Sequence, residues 1–115
     1  EELAIPDDVK NNINNNQKKI FSFNKLNTLI NQSDILYLTR IQKERHGDNI
    51  SFDNYIIDNE LLKNSKESLI ILHPLPRNKE LSIDLDNNPK SKYFDQMKNG
   101  LIIRMALLKI FLHNT

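Results

Sequence analysis

Four consecutive apolar residues, Leu69-Ile70-Ile71-Leu72, run straight into His73-Pro74-Leu75-Pro76-Arg77, and few folds accommodate that junction. An unbroken apolar run of this length reads as a strand buried on both faces, which calls for helices on either side of a parallel sheet. The two prolines then stop it. Each lacks a backbone N–H and fixes φ, and each pushes the residue before it toward extended geometry. The carbonyls of such a turn are rigid and unpaired, so they suit the N–H groups of a bound molecule. An X-Pro bond there is also a candidate for the cis form. The plainer reading, an ordinary loop stop after a strand, stands beside this one.

The rest of the chain supplies partners for that strand. Ile35-Leu36-Tyr37-Leu38-Thr39 reads as a second buried strand and Ile20-Phe21-Ser22-Phe23 as a short one. Between them, Leu26, Leu29 and Ile30 fall at i, i+3, i+4, which predicts a helix over 25–32 and makes a right-handed βαβ unit. Pro6 with Asp7 and Asp8 opens a short helix to about Asn15, since acids in a first turn favour the positive end of the helix dipole. Asp58 to Ser65 has acids first and Lys63 later, which predicts another short helix. Leu101, Ile102, Met105, Leu108 and Leu112 predict a long amphipathic C-terminal helix over 98–113 that buries one stripe. The expected class is α/β: a partial Rossmann-like parallel sheet of about three strands with helices on both faces and a long C-terminal helix.

Composition removes several functions. Sixteen Lys and Arg against fifteen Asp and Glu leave a net charge of +1, so the field that draws in nucleic acid or an anionic membrane surface is missing. No Cys is present, and the three His show no HxxxH or HExxH spacing, so neither a metal nor a cofactor is expected. No apolar run approaches the roughly 20 residues that span a bilayer, and we expect no membrane partner. Glu1-Glu2-Leu3-Ala4 lacks the pattern of a secretory signal. The opening without Met leads us to expect a longer parent chain, a nicked complex or a fragment.

In open parallel sheets ligands bind beyond the carboxyl ends of the strands, and two polar constellations lie there. Arg40 follows the second strand, where a planar guanidinium presents two parallel donors to a carboxylate, and Gln42 can both donate and accept. A surface ion pair is the plainer reading of a lone Arg. Glu44 and Arg45 read as a local or interdomain salt bridge that holds the loop. His73 offers a general base on paper and a structural hydrogen-bonding group more simply. No Ser, Thr or His stands in a nucleophile-and-base arrangement, and no Gly-rich phosphate loop occurs.

Three blocks together resemble the aspartate carbamoyltransferase family, specifically the C-terminal part of the catalytic chain. They are Asp34-Ile35-Leu36-Tyr37-Leu38-Thr39-Arg40-Ile41-Gln42-Lys43-Glu44-Arg45, His73-Pro74-Leu75-Pro76-Arg77, and Tyr93-Phe94 with Asn99-Gly100-Leu101-Ile102-Ile103-Arg104-Met105-Ala106-Leu107-Leu108. The likeness extends back to Leu3-Ala4-Ile5-Pro6. It implies carbamoyl transfer from carbamoyl phosphate to the amine of L-aspartate in pyrimidine biosynthesis. Carried over by position, Arg40 and Gln42 bind aspartate, and the carbonyls of Pro74 and Leu75, with Pro76 after a cis bond, receive the carbamoyl nitrogen. Lys43, Glu44 and Arg45 belong to a closing loop. The resemblance further implies a homotrimer, a cytoplasmic location and, as partner, the rest of the catalytic chain. It makes 1–97 the second half of the aspartate-binding domain and 98–115 a helix that packs toward a carbamoyl phosphate domain. The resemblance also implies that the family's catalytic residues lie upstream of these 115, so the piece alone is expected to be inactive. The other readings are a non-catalytic assembly module and a transferase for ornithine or another amine, and the ornithine enzymes are expected to carry a Cys in the second motif.

Overall fold

The computed structural model of the chain describes residues 5–15, 20, 26–40 and 55–113. The first helix, α1 (Asp7–Asn15), carries Asp7 and Asp8 in its opening turn, where the exposed N–H groups attract negative charge. Its first backbone bond runs from the Lys10 N–H to the Pro6 carbonyl at 3.1 Å. The second helix, α2 (Leu26–Gln32), turns Ile30 fully into the core. Ser33 ends it by donating its hydroxyl to the Leu29 carbonyl at 2.7 Å, which occupies one of the acceptors a helix end leaves open.

Strands β1 (Ile35–Tyr37) and β2 (Ile70–Leu72) pair in parallel, with Ile35 opposite Ile70, Leu36 opposite Ile71 and Tyr37 opposite Leu72. Across the other edge of β2, the Ile71 N–H donates to Lys90 and the Lys92 N–H to the Ile71 carbonyl, at 2.8 and 2.9 Å. β2 is therefore bonded along both edges, through Ile70 and Leu72 on one side and Ile71 on the other, and Ile71 is fully buried. It packs in a core with Ile30, Leu36, Ile57, Leu62, Leu69, Leu81, Leu85 and Tyr93. Ile71→Val removes one methyl from this close-packed site and should cost about 1 kcal/mol, read as a lower denaturation midpoint of the full-length protein.

The α/β class with a parallel sheet and a long C-terminal helix stands, and several finer expectations change. Only one face of the two strands is covered among the described residues: Ile35 and Tyr37 are 59% and 55% exposed and Ile70 is 39% exposed. The apolar run at 69–72 thus serves a sheet with one face open here. The expected strand at 20–23 lies outside the described residues except for Ile20. The expected helix over 58–65 is a 3-10 helix at Leu61–Asn64. Asp58 Oδ1 accepts the Leu61 N–H at 2.8 Å, and the Ser65 hydroxyl donates to the Leu62 carbonyl at 2.7 Å. After that cap the backbone closes over three residues, from the Lys63 N–H to Glu60 at 3.2 Å and from the Ser65 N–H to Leu62 at 3.0 Å, the pattern of a 3-10 turn.

The C-terminal helix, α3 (Tyr93–His113), begins five residues before the expected start and runs unbroken through position 98. Its first turns are set by Tyr93, which is buried, and by the Gln96 N–H bond to the Lys92 carbonyl at 2.8 Å, not by the later apolar residues. Nor does α3 carry a single stripe. Leu101, Ile102, Ile103, Leu107, Leu108, Ile110 and Phe111 surround the axis, and each is about half exposed or more. No helix among the described residues is long and apolar enough to cross a membrane.

Candidate binding site at the strand ends

Register brings the two constellations together. Because Tyr37 lies opposite Leu72 and the Leu38 N–H donates to the Leu72 carbonyl at 2.9 Å, the chain leaves both strands at one level of the sheet. Thr39 and Arg40 continue one path and His73 to Arg77 the other, at the carboxyl edge where a parallel sheet offers a crevice. Arg40 is exposed. Gln42, Lys43, Glu44 and Arg45 lie outside the described residues.

The turn after β2 has a defined conformation. The Leu75-Pro76 peptide is cis, and Leu75 itself stands at a φ of 51°. For a branched side chain that left-handed backbone costs on the order of 1 kcal/mol, so something must hold it. Two contacts do. The Leu75 side chain packs against the core, and its N–H donates to His73 Nδ1 at 2.9 Å. Among the described residues no donor reaches the Pro74 or Leu75 carbonyl.

His73 is buried and is a structural hydrogen-bonding group here. Its Nε2 faces Glu80 Oε1 at 3.0 Å, and the same oxygen accepts the Asn78 N–H at 2.9 Å. The His73 N–H donates to Gln96 Oε1 at 2.9 Å, while Gln96 Nε2 donates to the Tyr37 hydroxyl at 3.3 Å. Gln96, from α3, thus ties the end of β2 to the end of β1.

Arg77 closes the turn on its far side. Its guanidinium forms a two-pronged bond with Asp86, one prong at 2.7 Å, and lies 5.8 Å from the centre of the Tyr93 ring. The Tyr93 hydroxyl donates to Asp86 at 2.5 Å. The Arg77 bonds, joined by that hydroxyl, pull the Asp86 carboxyl down to about 2, and the same bonds push the Arg77 guanidinium upward. Burial, then its bond to Asp86, raises the Tyr93 phenol. These groups fix the loop between β2 and α3 and leave the turn's outer surface open.

Sequence reasoning named Pro74, Leu75, Pro76 and His73, which the structure places in one turn, and Arg40, which it places at the neighbouring strand end. It missed Glu80, Asp86, Tyr93 and Gln96 as supports. Their partners are 7 to 23 residues away, and no periodic pattern links such pairs. The one available signal was Arg77 itself, a charge directly after a rigid turn that needs a carboxylate nearby.

A family model described as "Aspartate/ornithine carbamoyltransferase, Asp/Orn binding domain" matches residues 2–111. The chain is 45% identical over 118 aligned positions to the aspartate carbamoyltransferase catalytic subunit of Alkaliphilus oremlandii, covering 98% of this chain and 36% of that one. It is 44% identical over 114 positions to the multifunctional protein ura1 of Schizosaccharomyces pombe, covering 94% of this chain and 5% of that protein. Among solved structures, the aspartate transcarbamoylase of Trypanosoma cruzi in complex with carbamoyl aspartate and phosphate superposes with a TM-score of 0.77 at 38% identity. That match covers 89% of this chain and 33% of the other. The chain spans about a third of the catalytic subunits it matches. One domain of one family accounts for nearly every residue, and the chain belongs to the aspartate/ornithine carbamoyltransferases, within their Asp/Orn-binding domain.

Proposed function

We propose that this chain forms part of the aspartate and carbamoyl binding site of an aspartate carbamoyltransferase. The observation that carries the reading is the β1–β2 register, which sets the Arg40 segment beside the Pro74-Leu75-Pro76 turn. Relatives named aspartate carbamoyltransferase catalytic subunit, and structures of the Trypanosoma cruzi enzyme in complex with aspartate, carbamoyl phosphate or N-(phosphonacetyl)-L-aspartic acid, support it.

In this reading the carbonyls of Pro74 and Leu75 accept the N–H groups of the carbamoyl amide and fix the plane of its carbon. Arg40 presents two donors to a carboxylate of aspartate, with Gln42 assisting. The aspartate amine then attacks the carbamoyl carbon: the new C–N bond forms, the C–O bond to phosphate breaks, phosphate leaves with the electron pair and the amine gives up a proton. The contribution of this segment is orientation and electrostatic placement, in keeping with the absence of a nucleophile motif from its sequence. Lys43, Glu44 and Arg45 belong to the loop that closes over the substrates. The phosphate is gripped by residues elsewhere in the catalytic chain. A homotrimer and a cytoplasmic location belong to the same proposal, supported by likeness to the family.

The test is formation of ureido product from carbamoyl phosphate by the full-length protein, with aspartate and ornithine offered separately. Product with aspartate and none with ornithine is expected. Product with ornithine alone would overturn the acceptor, and silence with both would leave a non-catalytic assembly module.

A further inference from the structure

We propose that Glu80, which lies outside the proline turn, is a positioning residue for the carbamoyl contact, acting through the tautomer of His73; this rests on the reading of the turn given above. Glu80 and His73 are 4% and 1% exposed, so water does not compete for their polar atoms. A backbone N–H can only donate. The 2.9 Å contact from the Leu75 N–H therefore requires a lone pair on His73 Nδ1. In a neutral imidazole the proton then sits on Nε2, the atom that faces Glu80 Oε1 at 3.0 Å. That oxygen is itself anchored by the Asn78 N–H at 2.9 Å, so the acceptor cannot swing away.

The opposite tautomer would set an Nδ1–H against the Leu75 N–H. Two donors in a buried space repel, and the peptide would rotate to escape. Leu75 is the residue that can least tolerate this, because its backbone already stands in the left-handed region at a φ of 51°. Its rotation would carry the Pro74 and Leu75 carbonyls away from the direction in which they meet the carbamoyl amide. Glu80 thus selects the tautomer, the tautomer holds the Leu75 N–H, and the N–H sets the aim of two carbonyls.

The test is a double-mutant cycle on the full-length protein, read as KM for each substrate. Glu80→Gln keeps the shape but loses the charge, and its amide can turn an NH2 toward the ring and admit the other tautomer. It should raise KM for carbamoyl phosphate about five- to tenfold, the scale of a charged hydrogen bond made neutral, with KM for aspartate within about twofold. His73→Asn supplies a side-chain oxygen that accepts the N–H two residues on without any tautomer. In that background Glu80→Gln should change KM for carbamoyl phosphate by less than about twofold. An equal factor in both backgrounds, or an equal rise for aspartate, would make Glu80 a structural residue only and overturn the proposal.

Should the Asn variant not fold, imidazole 15N shifts of the wild-type protein and of Glu80→Gln decide the tautomer step, and an unchanged tautomer population in Glu80→Gln overturns selection by Glu80. Unprotonated Nδ1 with protonated Nε2 is expected, and a protonated Nδ1 overturns it. A wild-type protein that makes no carbamoyl aspartate removes the turn's ligand and so the functional role, a result separate from the tautomer seen by NMR.

Discussion

Arg40→Ala in the full-length protein should lower kcat/KM for aspartate by about a hundredfold or more, the scale of roughly 3 kcal/mol for a lost charge-assisted, two-pronged contact. The loss should fall on aspartate and spare KM for carbamoyl phosphate, because the proposed function assigns the carbamoyl contacts to the other strand end. Arg40→Lys is the informative companion. It keeps the charge but not the planar fork, so it should recover only part of the loss. Steady-state kinetics with each substrate varied in turn checks both. Near-normal aspartate kinetics in Arg40→Ala would remove Arg40 from the site and leave the turn after β2 as the site's remaining support.

Arg77→Met should cost the full-length protein about 2 to 3 kcal/mol of stability at pH 7, and the cost should shrink in acid. Arg77 and Asp86 are only 19% and 27% exposed at their side chains, so solvent screens their bond less than it screens a surface pair. Asp86 in the folded protein is held at about 2, against the ordinary carboxylate value near 4. A depressed folded-state value means that the stabilisation is fully present above pH 4 and is lost as the pH falls through about 2. Urea midpoints for wild type and Arg77→Met should therefore differ at pH 7 and converge toward pH 2. Asp86→Asn should flatten the acid limb in the same window. A gap that persists unchanged at pH 2 would show that packing of the Arg77 stem, and not the ion pair, carries the effect.

What the sequence discloses and what it withholds divide along chain distance. Leu69 to Leu72 and the two prolines after it are local signals, and they yield a strand, its end and a cis Leu75-Pro76 bond. Asp58 is also local and caps the Leu61 N–H, yet the bonds that follow, from Lys63 to Glu60 and from Ser65 to Leu62, span three residues, so the expected helix is a 3-10 helix; propensity and charge order do not separate the two. The start of α3 was hidden for a different reason. Periodicity begins to speak only at Leu101, whereas the helix is rooted at Tyr93 and Gln96 by contacts with β2 and its turn. At the site, the task of Arg40 and the prolines belongs to the proposed function, and their positions at the strand ends were legible. Glu80 was not, since a carboxylate three residues after Arg77 looks like a surface charge until the fold lays it against His73.

The rooting of α3 has a mechanical consequence. Its 21 residues make a rod of roughly 30 Å at 1.5 Å per residue, fixed at the base by buried Tyr93 and by the Lys92 N–H bond to Ile71. Gln96, which holds the His73 N–H, stands one turn from that pivot. The rod is thus a lever with a short inner arm and a long outer one. A sway of about 1 Å at His113 reaches Gln96 as roughly 0.15 Å, from the same rise per residue. Whatever surface seats the outer arm, the proline turn at the inner arm is geared down against its motion.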